Sequence, residues 1–456
     1  MKNTGRRKFI KQAGTAASAL LAAPTIIPAS ALGRNGYIAP SDRINLAFIG
    51  AGNQAGNDVK GFLQDDRVQV TAICDVNDKS KGYWNGKVAG REFIMELVNQ
   101  AYSEKHGKKY KSTTGHVDFR EVLEMNDVDA VEIVTPDHWH AIPVLMAAAA
   151  GKDIYCQKPL ALTVAEGRAM SDAVKKHNVV FQTGSQQRSN ENFRRVCELV
   201  RNEKIGKLKS VECHLPGGTP DFGKTGDKTK PTKVPKGFDY DMWLGPAPEA
   251  PYCPARTHVN FRWILDYSGG MVTDWGGHHP DIAQWGMDTQ YTGPVKVRNA
   301  KGKWSEHPVW NTATEFYFEC EYANGLVLTI SSEPGPGVKF NGSEGSVWAN
   351  RGGRDADPKN LLDAKIADDE THLYHSDNHY RNFIDCVISR EEPVAPCEVA
   401  HRSITLAHLG NIAMMLEQDL DWDPVNERVT NSEEANQMLS RPMRAPWDKI
   451  YQQYVV

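Results

Sequence analysis

Asp274 and His278 stand four residues apart in Gly269-Gly270-Met271-Val272-Thr273-Asp274-Trp275-Gly276-Gly277-His278-His279-Pro280-Asp281, the segment densest in reactive side chains. A histidine beside a carboxylate is a natural proton acceptor for an alcohol that is losing hydride. A helix starting near Gly276 would put both on one face or at its entry, with Pro280 tolerated in the first turn. The alternative is a capped helix start with satisfied polar residues. Lys158, in Gln157-Lys158-Pro159, ends an apolar strand-like run. There a lysine can polarise a carbonyl or a hydroxyl, its proton affinity tuned by burial and by a cationic cofactor ring. Otherwise it is a solvated lysine before a proline turn.

A second group of residues points to a dinucleotide. Gly50-Ala51-Gly52-Asn53-Gln54-Ala55-Gly56 follows a strand and precedes a helix, the context that gives the glycine motif its meaning. Gly50 permits the turn, and Gly52 lets the backbone approach a pyrophosphate. The helix N-terminus presents free N–H groups to the phosphates. The spacing departs from the usual one, with Ala55 at the third site and Gly56 one later. Asp75 ends the next strand about 20 residues on, where an acid binds ribose hydroxyls and repels a 2′-phosphate. NAD is therefore expected, while Lys79 and Lys81 keep NADP open.

Thr135-Pro136-Asp137-His138-Trp139-His140 lies at a strand's carboxyl end, where doubly wound sheets bind ligands. His138 and His140 are ligand-facing or merely turn polarity, and no third metal ligand accompanies them nearby. His372, His375 and His379 are spaced like a metal set, but Ser376 reads as a helix N-cap between them. Trp139, Trp263, Arg188, Arg262 and His279 fall in loops beside these groups. The tryptophans either stack on sugar C–H faces or fill the core, and the others are expected to bind hydroxyls.

The elements that must position these groups follow from periodicity. Arg43–Ile49, Val68–Asp75, Val128–Thr135, Asp153–Cys156 and Val179–Thr183 read as strands alternating with helices. That alternation implies right-handed βαβ units and a parallel sheet, a dinucleotide-binding domain over 41–185. Pro216–Pro254 is Gly-, Pro- and Lys-rich and reads as a long loop. Thr314–Tyr322, Gly325–Ser332 and Gly345–Asn350 read as antiparallel strands, Asn324-Gly325 giving a hairpin turn. Glu398–Leu416 reads as a long helix. The second domain is expected over 186–456.

Composition excludes several classes. The 456 residues are 40% apolar and 24% charged, an ordinary globular balance, with net charge −4 and no basic footprint for nucleic acid. The eight cysteines show no regular spacing, against a zinc ribbon or a disulfide scaffold. Cys74 and Cys156 read as buried thiols. Arg6-Arg7 precede the short apolar run Ala16–Ile27 and the small residues Ala29-Ser30-Ala31. This is a twin-arginine export leader over 1–31, too short to span a bilayer, and no later run reaches the ~18 apolar residues of a membrane helix. A periplasmic enzyme without a membrane anchor, folded around a tightly bound cofactor before export, is expected.

Together the motifs resemble the Gfo/Idh/MocA sugar oxidoreductases from about Arg43 to Leu416. Gln157-Lys158-Pro159 resembles the family's E-K-P, Asp274 and His278 its Asp-x-x-x-His pair, and Thr135-Pro136 its T-P segment. The resemblance implies an α/β fold: a Rossmann NAD(P)-binding domain followed by an α/β domain with a large, mainly antiparallel open sheet that often forms an oligomer interface. It implies a homodimer or homotetramer. It implies Lys158 as the catalytic lysine, His278 as the proton carrier, and Asp274 orienting the histidine or the substrate hydroxyl. It implies cofactor contacts from Gly50, Gly52, Asn53, Gln54, Asp75, Thr135, Pro136, His140, Gln157 and Lys158. Gln157 departs from the family glutamate, so the contact made there differs. Two activities fit: oxidation of a secondary hydroxyl of a sugar or glycoside, and redox-neutral glycoside cleavage of the family 109 glycosidase type. A cofactor-holding binding protein would have no need of Lys158 and His278.

Overall fold

A computed structural model describes residues 38–455. The export leader expected over 1–31 lies outside the described residues. Pro40–Asp42 is a short 3₁₀ turn in a unit that ends at Arg43, and Ile44 begins the compact unit that carries everything below.

Six strands build the first sheet: β1 (Ile44–Ile49), β2 (Val68–Cys74), β3 (Thr114–His116), β4 (Ala130–Ile133), β5 (Asp153–Cys156) and β6 (Phe181–Thr183). They are all parallel, in the order β3-β2-β1-β4-β5-β6. Helices cover both faces of such a sheet, which is why β4 and β5 are buried at every position, Glu132 and Asp153 included. The chain reverses its winding between β1 and β4, so a crevice opens outside their carboxyl ends. The crossover helices carry clear signals. Thr163 caps Val164–His177 by accepting from the Glu166 N–H at 3.2 Å, and Glu166 accepts from Leu162 N–H at 3.3 Å. The left-handed Asn178 (φ 52°) ends that helix.

The second sheet has nine strands: β7 (Leu208–His214), β8 (Lys296–Trp304), β9 (Ala313–Glu321), β10 (Val327–Ser331), β11 (Gly337–Gly342), β12 (Ser346–Asn350), β13 (Gly353–Asp357), β14 (Leu420–Asp423) and β15 (Arg428–Val429). Their order is β13-β12-β11-β7-β10-β9-β8-β14-β15, and only the β7–β10 pair is parallel. The hairpin turn at Asn324-Gly325 joins β9 to β10, with Gly325 at φ 80°. In β9 buried and half-buried residues alternate, so Phe316, Phe318 and Cys320 enter the core. Helices approach this face closely. A Cβ on Gly410 would lie 2.4 Å from the Phe318 ring, and one on Gly286 2.5 Å from Phe340.

The helix Cys397–Leu416 is buried almost all round because it packs on both halves. Its polar residues find partners: His408 Nε2 lies 3.1 Å from Ala161 O, Asn411 Nδ2 donates to Gly269 O at 3.0 Å, and His401 Nε2 meets Glu427 at 2.8 Å. This helix fixes the two sheets to each other.

Several local expectations change. No single helix carries Asp274 and His278: Met271–Gly276 ends at Gly277, and His279–Met287 begins after it with His278 at the N-cap and Pro280 in the first turn. Asn378, rather than Ser376, caps the helix His379–Ser389, accepting from Arg381 N–H at 3.0 Å. The amphipathic helix Glu191–Arg201 and strands β3, β7, β8, β11 and β13–β15 add to the expected elements. Pro216–Pro254 contains only the short helix Tyr240–Leu244 before its last residue. All eight cysteines are unpaired and buried, Cys74 and Cys156 included. No described helix is long and apolar enough to cross a membrane.

Candidate active site

A cavity of about 470 Å³ opens at the carboxyl ends of β1, β2, β4 and β5 and runs to the start of the second domain. At one end lies the glycine turn. Gly50 has φ 104°, and a Cβ there would sit 2.6 Å from the Val134 carbonyl carbon and oxygen. Only glycine lets the turn press against the end of β4. Gly52 is the N-cap of helix Asn53–Phe62 and carries no side chain, so the first N–H groups of this helix are left for a ligand. Asn53 Oδ1 accepts from Trp84 N–H at 2.6 Å, and Gln54 Nε2 donates to Asp58 at 2.7 Å.

Asp75 lines the cavity and braces the turn. Its Oδ2 accepts from Ala51 N–H at 2.6 Å and its Oδ1 from Asn77 N–H at 2.7 Å. Burial pushes its carboxyl up to about 6, against the lowering effect of those two bonds. Lys79 pairs with Glu96 at 2.7 Å.

Thr135, Pro136 and Gln157 also line the cavity. Gln157 Nε2 donates to Asp58 Oδ2 at 2.7 Å, and the Tyr380 hydroxyl donates to Asp58 Oδ1 at 2.7 Å. Glu132 lies beneath, held well above the carboxylate range by burial and by the Asp58 charge. Two carboxyl groups thus already lie behind Gln157. A glutamate in place of Gln157 would bring a third carboxyl group where the amide now donates.

At the other end Lys158 Nζ donates to Asp274 Oδ1 at 2.9 Å and to Asp274 O at 3.1 Å. Burial alone would raise the Asp274 carboxyl, but Lys158, Arg262 and Arg351 hold it below its usual value. His278 lines the same wall, buried, with no hydrogen-bond partner at Nδ1. Burial and the charges of Lys158 and Arg351 depress its pKa well below the ordinary histidine value, so its ring is neutral. Asp274 therefore serves Lys158 and leaves the imidazole free.

Asp137 follows the Thr135-Pro136 pair into the cavity, buried, with Oδ2 unpartnered. Burial raises its carboxyl to about 7, with Ser268 opposing and Asp274 reinforcing. Arg262 also lines the cavity, its Nε 3.8 Å from Asp274 Oδ1. Trp139 lines it too, but its indole N–H is spent on Met242 O and Trp243 O at 3.0 Å each, and its ring packs edge-on to Trp447.

Four expected site residues are not brought to the cavity lining. His140 is buried behind it, with Nδ1 2.8 Å from Pro159 O and Nε2 3.0 Å from Thr135 O; burial lowers its pKa, and the neutral ring donates to one of the two. Arg188 is buried in a two-pronged pair with Asp281, at 2.7 and 2.9 Å. Trp263 is fully buried and donates to Pro220 O at 3.0 Å. His279 Nδ1 donates to His214 O at 3.1 Å. Each faces inward with at least one polar atom bonded to protein there, although His279 Nε2 has no partner. The three spaced histidines are not gathered either: His379 meets Thr183 O and Ser189 Oγ at 2.8 Å, and His372 meets Ala367 O at 3.0 Å.

Other lining residues carried no signal strong enough to be singled out. Asp137 lies between Thr135-Pro136 and His138, where nothing local distinguishes it from a turn residue. Arg351 stands in the turn between β12 and β13, its guanidinium 4.8 Å from the Trp275 ring centre. Trp84 lines the cavity and stacks on Phe222 at 4.0 Å. Tyr83 stacks on His258 at 4.6 Å.

Residues 44–185 match the model of an oxidoreductase family's NAD-binding Rossmann fold, and residues 192–449 that of its C-terminal alpha/beta domain, the Gfo/Idh/MocA pair. Among curated proteins the chain is similar to the "Glycosyl hydrolase family 109 protein 1" of Shewanella sp. (strain MR-4) and to an "Alpha-N-acetylgalactosaminidase" of Shewanella oneidensis. Each is 28% identical over 223 residues, 46% of this chain and 45% of the relative. The match thus spans under half the length of these relatives. Among solved structures it is similar to the WlbA dehydrogenase of Bordetella pertussis in complex with NADH and UDP-GlcNAcA (TM-score 0.57, 17% identity, 84% of this chain and 99% of that one). It is also similar to the aldose–aldose oxidoreductase of Caulobacter crescentus complexed with glycerol (TM-score 0.56, 17% identity, 83% and 99%). At such identities the likeness is one of fold.

Proposed function

The chain belongs to the Gfo/Idh/MocA oxidoreductase family, and on that premise we propose that it is an NAD-dependent enzyme oxidising a secondary hydroxyl of a sugar or glycoside. One observation carries the reading: the Lys158–Asp274 pair and the neutral, unpartnered His278 face one cavity whose far end is the glycine turn and Asp75. The residues fit a dinucleotide, because the turn at Gly50 leaves no room for a Cβ and the helix after Gly52 offers uncapped N–H groups. NAD, when bound, supplies the hydride acceptor.

The protein's own groups do the rest. Asp274 holds Lys158 by side chain and backbone, so the ammonium is fixed where an alkoxide would develop. His278, kept neutral, takes the hydroxyl proton as the carbon gives up its hydride. The carbinol C–H and O–H bonds break, a ketone forms, and the proton ends on the imidazole. Asp75 binds ribose hydroxyls and opposes a 2′-phosphate, which supports NAD over NADP, as does the engagement of Lys79 by Glu96.

The relatives named for glycoside hydrolysis favour a second reading, in which the ketone is transient, the aglycone is eliminated and the hydride returns. Mass spectrometry of the purified protein for bound dinucleotide, with a glycoside panel scored for keto-sugar and free aglycone, tests both. Keto-sugar with net reduction supports oxidation; free aglycone without net redox supports cleavage. A protein that neither binds NAD nor changes any glycoside refutes the proposal.

Arg6 and Arg7 support export to the periplasm with the cofactor tightly held. Unchanged periplasmic protein after both are replaced by lysine would refute it. The open face of the nine-stranded sheet supports a homodimer or homotetramer, which light scattering reads directly.

A further inference from the structure

The charges around the proposed reaction centre do not balance. Lys158, Arg262 and Arg351 line the sugar end of the cavity, against only two carboxylates, Asp137 and Asp274. Lys158 already satisfies Asp274. Arg262 donates one N–H to Val259 O at 2.7 Å, and its Nε has no hydrogen-bond partner, pairing only loosely with Asp274 at 3.8 Å. Arg351 lies over Trp275 and makes no carboxylate pair within salt-bridge distance among the described residues. Burial keeps His278 neutral and holds His258 near 3, so neither ring adds to the positive charge. An oxidised nicotinamide would add another positive charge here. The dinucleotide phosphates give no relief, because their binding turn lies at the opposite end of the cavity, at Gly50 and Gly52.

Lys158 and Arg262 are half-buried in the cavity wall and Arg351 is exposed at its mouth, so an anion entering the cavity meets cations along its path without having to displace a protein carboxylate from Arg351. Guanidinium groups match planar or tetrahedral oxyanions with paired N–H donors. Trp275 beneath Arg351, and Phe222 and Phe261 beside Arg262 at 5.9 and 5.1 Å from its guanidinium carbon, hold both groups in place.

We propose that the sugar bound at this site carries an oxyanion, either the carboxylate of a uronic acid or a sulfate ester, held by Arg262 and Arg351. The inference rests on the oxidoreductase reading for the position of the sugar. It names the class of substrate: an acidic saccharide rather than a neutral one. Lys158 remains with the reacting hydroxyl, and the two arginines fix the ring by its charged substituent.

The test uses the purified, NAD-loaded protein and three probes: methyl glucuronide, glucose 6-sulfate and methyl glucoside. Calorimetry reads binding, and absorbance at the NADH band separately reads reduction. At least one anionic probe should bind roughly tenfold or more tightly than the neutral one, the scale of one charge-assisted hydrogen bond. The better of the two identifies the oxyanion. Arg351→Gln should reduce that preference about tenfold with bound NAD per protein unchanged. Arg351→Lys should restore part of it, keeping the charge without the fork. Equal binding of all three probes, no binding of any, or a preference that survives Arg351→Gln overturns the proposal. Tight anion binding without NAD reduction would leave this inference standing and count against the oxidoreductase reading instead.

Discussion

Lys158 Nζ lies 2.9 Å from Asp274 Oδ1 and 3.1 Å from the main-chain oxygen of the same residue. The lysine at the end of β5 is thereby locked to the first of the two short helices that follow the Gly269-Gly270 pair, and the carboxylate is withdrawn from His278. The ammonium, rather than the imidazole, is the group that Asp274 positions.

Lys158→Ala should lower turnover by about 10²–10⁴-fold, the range of a positioned acid–base or charged group, with bound NAD retained. Asp274→Asn should act mainly through the lysine. The double variant should therefore lose less than the product of the single effects, because both act on one group. Single-turnover reduction of bound NAD measures this. Multiplicative losses would separate the two roles.

Asp75 titrates near 6, and its ionised form is the better acceptor for ribose hydroxyls. NAD affinity should strengthen as pH rises through about 6 and level off above it. Asp75→Ala should flatten that dependence and relax discrimination against NADP by ~1–2 kcal/mol, the scale of a lost charged hydrogen bond. Dissociation constants for both dinucleotides between about pH 5 and pH 8, on either side of the midpoint near 6, provide the comparison.

Asp137 carries a carboxyl raised from 3.8 to about 7 by burial. The folded state thus binds this proton more tightly than the unfolded state. Its contribution opposes folding increasingly as pH rises from about 4 to about 7, and is constant above. Asp137→Asn should raise the melting temperature at pH 8 and leave it little changed at pH 4. A variant equally stabilised at both pH values would show that the effect is packing rather than titration.

Trp263 is fully buried, with its indole N–H on Pro220 O. Trp263→Ala should cost roughly 3–5 kcal/mol of stability, the range for deleting a large core aromatic. Sugar and NAD affinities should then fall together as the fold loosens. A loss confined to the sugar, with the melting temperature unchanged, would return Trp263 to the substrate site.

Much of the first domain was legible in the chain itself. Apolar runs broken by helical periods marked β1, β2, β4, β5 and β6, and the glycine turn with Asp75 is a local signal that needs no distant partner. The same holds for Lys158 at a strand end and for the β9–β10 hairpin. Strands β7 and β8 were missed because their Lys-, Arg- and Glu-bearing positions alternate across a sheet with one face open, which weakens the apolar signal.

The sequence by itself determined the local units and the residue types gathered near them: a dinucleotide turn, a strand-end lysine, and a carboxylate and histidine four apart. Only the tertiary structure decided which of these meet. The break at Gly277 puts Asp274 and His278 on separate helices and hands the carboxylate to Lys158. The turn after β12 carries Arg351 to the cavity, and Asp281 and Pro220 draw Arg188 and Trp263 away from it. The physical reason is one of range. Periodicity, caps and turns act over a few residues and are written along the chain. Charge pairing and burial act through space, between residues that only strand order and helix packing bring together.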